Sequence, residues 1–184
     1  SDWEVNKVTF KSGDLVAVDH ELLSKGELKV SLAFRPDSKT SVEGVSVTKE
    51  GVLLNTIQNV KSVLYMLNFS KGTWEMSEVE TPEFGRISII SSDREDSEYF
   101  YQYSNYITPP TLYYKDGANT IVVRQGKKKF EADNLEVHQY EVNSKDGTIV
   151  PYFIIHKKDL KLDGSNPTLV YAYGGFNISV KPGY

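Results

Sequence analysis

Two phenols and a phenyl ring stand around a pair of adjacent glycines in Tyr171-Ala172-Tyr173-Gly174-Gly175-Phe176-Asn177, directly after the apolar run Thr168-Leu169-Val170. The economical reading is a buried strand that stops at a glycine turn. Adjacent glycines accept φ > 0 and let another group approach closely. A tyrosine O–H held at such a turn is a donor. A donor aimed at an oxygen that gains charge during acyl transfer lowers the barrier by about 2.7–4 kcal/mol. The same residues also describe a turn that only packs aromatics. Taken alone, Tyr173 to Phe176 leaves both readings open.

The partner that acyl transfer requires is a nucleophile, and the sequence contains no G-x-S-x-G elbow. Three histidines, His20, His138 and His156, lie far apart, and no HExxH or closely spaced His/Asp set accompanies them. Each is read as an ordinary surface or strand residue, and no metal is expected. With no cysteine, the chain has neither disulfides nor thiolate ligands. The paired carboxylates Glu78-Glu80 and Asp93-Glu95-Asp96 sit in polar turns with nothing apolar beside them to raise a pKa. No glycine-rich phosphate or dinucleotide loop occurs, so no cofactor is expected.

The elements around the glycine turn read as short strands. Twelve Tyr and eight Phe, with many β-branched residues, favour sheet over helix. Val5 to Phe10 alternates as one strand, and Asp14 to Asp19 follows the Ser12-Gly13 turn. His20 to Lys25 reads as one helical turn stopped by Gly26. Leu28 to Phe34 has period two, with Leu28, Val30, Leu32 and Phe34 predicted inward. Four strands then follow at close spacing: Val42–Thr48, Val52–Ile57, Val63–Phe69 and Thr73–Met76. A second set of four runs through Gly85–Ser91, Tyr99–Tyr103, Thr111–Tyr114 and Thr120–Val123. Two successive four-stranded units point to β-propeller blades.

The character changes at the solvated lysine run Lys127-Lys128-Lys129. Asp146-Gly147 joins Leu135–Val142 and Thr148–His156 as a hairpin. Its second strand is apolar on both faces and is expected to be sandwiched. The formal charge is −4, from 21 basic and 25 acidic residues, and no basic cluster suggests nucleic acid as a partner. No apolar run is long enough to span a membrane as a helix. The start, Ser1-Asp2-Trp3, is that of a processed or excised segment. The expectation is a soluble protein of the cytoplasm or periplasm.

Four linked stretches closely resemble the entry to the catalytic domain of the prolyl oligopeptidase family. They are Ser144-Lys145-Asp146-Gly147-Thr148-Ile149-Val150-Pro151, Phe153-Ile154-Ile155-His156-Lys157-Lys158, Leu162-Asp163-Gly164-Ser165-Asn166-Pro167, and Tyr171 to Ser179. Upstream, Tyr99-Phe100-Tyr101-Gln102-Tyr103 with Ile107-Thr108-Pro109-Pro110-Thr111-Leu112-Tyr113 is similar to that family's last propeller blade. Ser1 to Val5 and Gly13 to Asp19 are similar to bacterial members.

The resemblance implies a mainly β chain: closing blades of a β-propeller over residues 1–131, then the first strands of an incomplete α/β-hydrolase domain over 132–184. It implies an internal piece of a serine peptidase that cleaves short peptides after proline. Tyr173 falls where the family has its oxyanion-hole tyrosine, and Phe176 where it has an aromatic wall of the substrate pocket. Gly174 and Gly175 would shape the turn. The nucleophilic Ser and its Asp and His would lie beyond Tyr184, so the chain alone is expected to be inactive. Its partners would be proline-containing peptides, with self-association through exposed strand edges. The competing expectation is a non-catalytic β-rich binding module on the same scaffold.

Overall fold

The computed structural model describes residues 2–176 and 179–184. Of the positions singled out above, Ser1, Asn177 and Ile178 lie outside the described residues. The described residues form antiparallel strands and one short helix.

Trp3–Val5 (β1) and Val8–Phe10 (β2) form a hairpin rather than the single strand expected from alternation. The reason is local: Asn6 and Lys7 take φ of 50° and 66°. Two consecutive positive values are what a two-residue turn with the twist of the flanking strands requires. Leu15–Val18 (β3) leads into α1, His20–Ser24. Asp19 caps α1 by accepting the Leu22 amide. Gly26 closes it at φ 84°, with the Glu27 amide bonded to the Leu22 carbonyl and the Gly26 amide to that of Leu23. That is the Schellman arrangement expected of a glycine there.

Val30–Phe34 (β4) pairs with β3. The inward set predicted for it is corrected, since Leu28 and Leu32 are exposed. Val30 and Phe34 are half-buried, as are Ser31 and Ala33, and Trp74 donates its indole N–H to Ser31 Oγ at 3.1 Å. Arg35, just after β4, grips Asp14 through two nitrogens at 2.9 and 2.6 Å and also reaches the Thr9 carbonyl. The Arg35 guanidinium holds the Asp14 carboxyl below the usual carboxylate range. One fork thus fastens the β1–β2 hairpin to the β3–β4 pair.

The first predicted four-strand unit is a meander of Thr40–Val47 (β5), Val52–Gln58 (β6), Lys61–Ser70 (β7) and Thr73–Glu78 (β8). Its tight turns again put two residues at positive φ: Asn59 and Val60, then Lys71 and Gly72. The second is Arg86–Ser92 (β9), Tyr99–Ser104 (β10), Thr111–Asp116 (β11) and Asn119–Gln125 (β12), also in meander order.

The core lies between these two sheets. β10 alternates with period two, so Tyr99, Tyr101 and Tyr103 share one buried face. They pack with Leu53 of β6, Leu64 of β7, Ile87 of β9 and Val79. Tyr101 is fully buried, and its ring stacks on Tyr113 at 5.0 Å. Polar groups also cross between the sheets. Asn55 Nδ2 donates to the Ile87 carbonyl at 2.9 Å, and the Ser62 amide to the Gly85 carbonyl at 3.0 Å. Tyr103 Oη donates to the Glu83 carbonyl and accepts from Asn105 Nδ2.

Leu135–Asn143 (β13) and Ile149–Lys157 (β14) form the last hairpin, closed by the loop predicted at Asp146-Gly147. The expectation that β14 is sandwiched is corrected: Ile149, Val150, Tyr152, Ile154 and Ile155 are all exposed. The hairpin is a two-stranded sheet on its own, so no second layer of described residues covers its outer face. The inner face touches the blades through Gln139 Nε2 to the Asn59 carbonyl, Glu141 to Lys39 and Asn59, and Phe153 against Tyr106.

Two outcomes follow from the tyrosine core. A Cβ on Gly85 would stand 2.1 Å from Tyr103 Cε2 and 2.8 Å from the Ser104 carbonyl oxygen. Gly85→Ala should therefore lower stability by about 1–3 kcal/mol or more. Urea titration should show a lower midpoint at unchanged slope. The second outcome concerns alkali. Burial pushes Tyr99, Tyr101 and Tyr103 from 10 up to about 12. The neutral phenol is favoured in the folded state, so these tyrosines stabilise fully below pH 10. That contribution is lost as pH rises from 10 through about 12. Tyrosinate absorbance from these rings should appear together with loss of the β-sheet circular dichroism signal, not before it.

Candidate functional site

The glycine turn does not sit on a strand. Residues 167–174 carry no ladder, and the expected buried strand at Thr168-Leu169-Val170 is corrected: Leu169 is 92% exposed and Val170 85%. A single apolar segment forms a strand only beside another that accepts its N–H and C=O groups. No described strand pairs with it. Lys181 still fastens the far side of this segment to the first blade, with its ammonium 2.5 Å from a Glu43 carboxylate oxygen. Tyr184 stacks on Phe130 at 5.2 Å, and its hydroxyl accepts the Lys129 amide.

Within the turn, Tyr173 is 46% exposed and Phe176 91% exposed. The Tyr173 ring folds back over the backbone, so a Cβ on Gly175 would meet its hydroxyl at 3.2 Å. A Cβ on Gly174 would meet open space. The left-handed conformation expected of the glycines belongs instead to Phe176, at φ 55°. The structure therefore brings Tyr173 and Gly175 together. Phe176 projects away from them, and Gly174 has no steric reason to be glycine here. The carboxylates of the polar turns lie elsewhere. Asp93, for example, accepts the Glu95 amide inside its own loop.

A second constellation does form, and it corrects the reading of the histidines as isolated. Glu136 and His138 are two apart on β13, hence on one face. The hairpin register puts His156 directly opposite Glu136. Glu136 Oε2 lies 3.4 Å from His138 Nε2, and Oε1 lies 3.5 Å from His156 Nδ1. The two imidazole rings stack at 5.4 Å. The signal was present in the sequence as Glu-x-His plus a hairpin loop that fixes which residue of β14 faces it. Counting back from Asp146-Gly147 finds the pair.

Consecutive four-stranded meanders that share a core between their faces define β-propeller blades. Residues 4–124 match the family model described as "Prolyl oligopeptidase, N-terminal beta-propeller domain". The chain belongs to the prolyl oligopeptidase family. It is 37% identical over 189 residues to an uncharacterized peptidase of Sinorhizobium fredii, covering 100% of this chain and 26% of that relative. It is 33% identical over 158 residues to a prolyl endopeptidase of Elizabethkingia meningoseptica, covering 81% of this chain and 22% of that one. Among solved structures, a post-proline cleaving enzyme from Rickettsia typhi matches all of this chain and 27% of its own, at 30% identity and TM-score 0.77. Prolyl oligopeptidase B from Galerina marginata matches 92% of this chain and 24% of its own, at 26% identity and TM-score 0.74. The chain thus spans about a quarter of the length of these relatives.

Proposed function

We propose that this chain is part of a serine peptidase that hydrolyses short peptides after proline. In this reading residues 1–131 are closing blades of the propeller, and 132–184 open an α/β-hydrolase domain. The observation that carries it is the match of all of this chain to 27% of a post-proline cleaving enzyme, which takes in the glycine-turn segment as well as the blades. Tyr173 Oη is the donor to the oxyanion of the tetrahedral intermediate, and Phe176 is one wall of the pocket for the proline ring. Gly175 supports the assignment, because a side chain there would crowd the Tyr173 hydroxyl.

The chemistry asked of Tyr173 is modest and specific. A phenol O–H donates to an oxygen that becomes negative only as the acyl carbon turns tetrahedral. The bond therefore strengthens in the transition state and leaves ground-state binding almost unchanged. A flat phenyl such as Phe176 suits a proline ring because both are rigid and apolar. The propeller would limit access by size.

The competing reading, a binding module without chemistry, draws on the bare apolar surface of Leu169, Val170 and Phe176. One set of measurements on the full-length protein separates the two. The peptidase reading expects turnover of a chromogenic proline peptide and labelling by a serine-directed phosphonate. Tyr173→Phe should then lower kcat by about 10²–10³ with little change in KM or thermal stability. Binding of the peptide without turnover or labelling would favour the module. An unchanged kcat in the variant would reduce Tyr173 to a packing role.

Self-association of the 184-residue chain belongs to the same proposal. The edge strand β12 is exposed along its whole length and carries Ile121, Val122 and Val123. Such an edge pairs readily with another. Sedimentation velocity should show a concentration-dependent shift to larger species. A single monomer boundary across a hundredfold range of concentration would overturn it.

A further inference from the structure

We infer that Glu136, His138 and His156 form a binding site for one divalent first-row transition ion, with Zn²⁺ as the ion the donor set fits. One candidate ligand atom from each of the three lies within 4.8 Å of the others. Two imidazoles and a carboxylate are the borderline donors that zinc, copper and nickel prefer over calcium or magnesium. Three protein ligands leave one tetrahedral position for water, as in open zinc sites.

The backbone prepares the site. β13 fixes Glu136 and His138 on one face, and the paired register brings His156 across from Glu136. That register is set by the loop at residues 144–148, where the Ser144 amide bonds to the Thr148 carbonyl at 2.8 Å. Asp146 locks the loop: it accepts the Ser144 hydroxyl and the Thr148 amide, which in that order hold its carboxyl down at about 2. A slip of one residue would send His156 to the opposite face and dissolve the cluster.

His156 turns Nδ1 toward the cluster, 3.5 Å from Glu136 Oε1. The same nitrogen lies 2.7 Å from the Lys157 carbonyl oxygen. Ligation through Nδ1 therefore requires the ring to turn off that carbonyl, and ligation through Nε2 a flip of the ring. Zinc holds its donors about 3.4 Å apart at ordinary bond lengths. Glu136 and His138 are already at that spacing, at 3.4 Å. Closing the remainder takes rotation of the Glu136 and His138 side chains, which are 35% and 41% exposed.

The consequence is a clasp across a hairpin that has little else to hold it. A two-stranded sheet is marginal by itself. An ion bound only when β13 and β14 are paired stabilises the pairing by mass action.

The test is calorimetric titration of the 184-residue protein with ZnCl₂, and with MgCl₂ and CaCl₂ as comparison ions. One Zn²⁺ per chain should bind, with no matching signal from Mg²⁺ or Ca²⁺. His138→Ala, His156→Ala and Glu136→Gln should each weaken Zn²⁺ binding by roughly tenfold or more. His20→Ala, on α1, should not. Amide exchange should slow in residues 135–157 when Zn²⁺ is added, with the blades unchanged. Circular dichroism of each variant checks that the fold is kept. Absence of Zn²⁺ binding in the native protein overturns the proposal. So does binding that survives all three ligand substitutions, or that His20→Ala removes.

Discussion

The structure depends on three tyrosines of one strand being buried between two sheets. Tyr99, Tyr101 and Tyr103 each carry a phenol into the interface between the blades, where water no longer solvates it. Burying an aromatic ring is strongly favourable, and leaving its hydroxyl without a partner is costly. The fold resolves the conflict differently at different rings. Tyr103 is met by the Glu83 carbonyl and the Asn105 amide. Tyr101 finds no partner for its oxygen among the described residues and is held by stacking on Tyr113. Gly85 belongs to the same solution, because only a residue without a side chain lets β9 start against the Tyr103 ring. The blade-to-blade contact thus selects residues on β6, β7, β9 and β10 at once.

That core explains how far the sequence could be read. Strand alternation and the turn residues were enough to find both four-strand blades, because the inner strands such as β10 bury one face and most of the turns carry a glycine or asparagine. The Asp146-Gly147 hairpin was legible for the same reason. Reading failed where a local choice overrode the pattern. Asn6 and Lys7 took left-handed φ and split one alternating run into two strands. Ser31 bonds the Trp74 indole, and both sides of β4 are half-buried except at Leu32. Neither event leaves a mark in hydrophobic periodicity. The cluster of Glu136, His138 and His156 was missed for a different reason. Sequence distance was taken for spatial distance, although the hairpin that joins them had already been located.

The apolar segments at the two faces of β14 and at Thr168 to Tyr171 show the other limit. Hydrophobic runs predict burial only where a second layer exists to receive them. β14 has one neighbouring strand, and the glycine-turn segment has none among the described residues. Their composition is that of interior sheet, and their surroundings are those of surface. The family's propeller model stops at residue 124, before both. Composition and surroundings agree for the blades and part company after them.

This has a consequence for any role of Tyr173 in acyl transfer. A donor lowers a barrier in proportion to how little it must be reorganised when charge develops. Tyr173 lies on backbone with no ladder, and its ring rests on Gly175 rather than in a walled pocket. In that state, aiming the hydroxyl would cost the ordering entropy of several residues, about 1–2 kcal/mol for each backbone unit fixed. That sum is comparable to the whole benefit of an oxyanion donor. A working Tyr173 therefore requires the segment Thr168 to Tyr171 to be paired on a sheet that also covers β14. The exposed apolar faces of both segments are what such a sheet would bury. Pairing of that segment is then what would make the turn rigid enough to act.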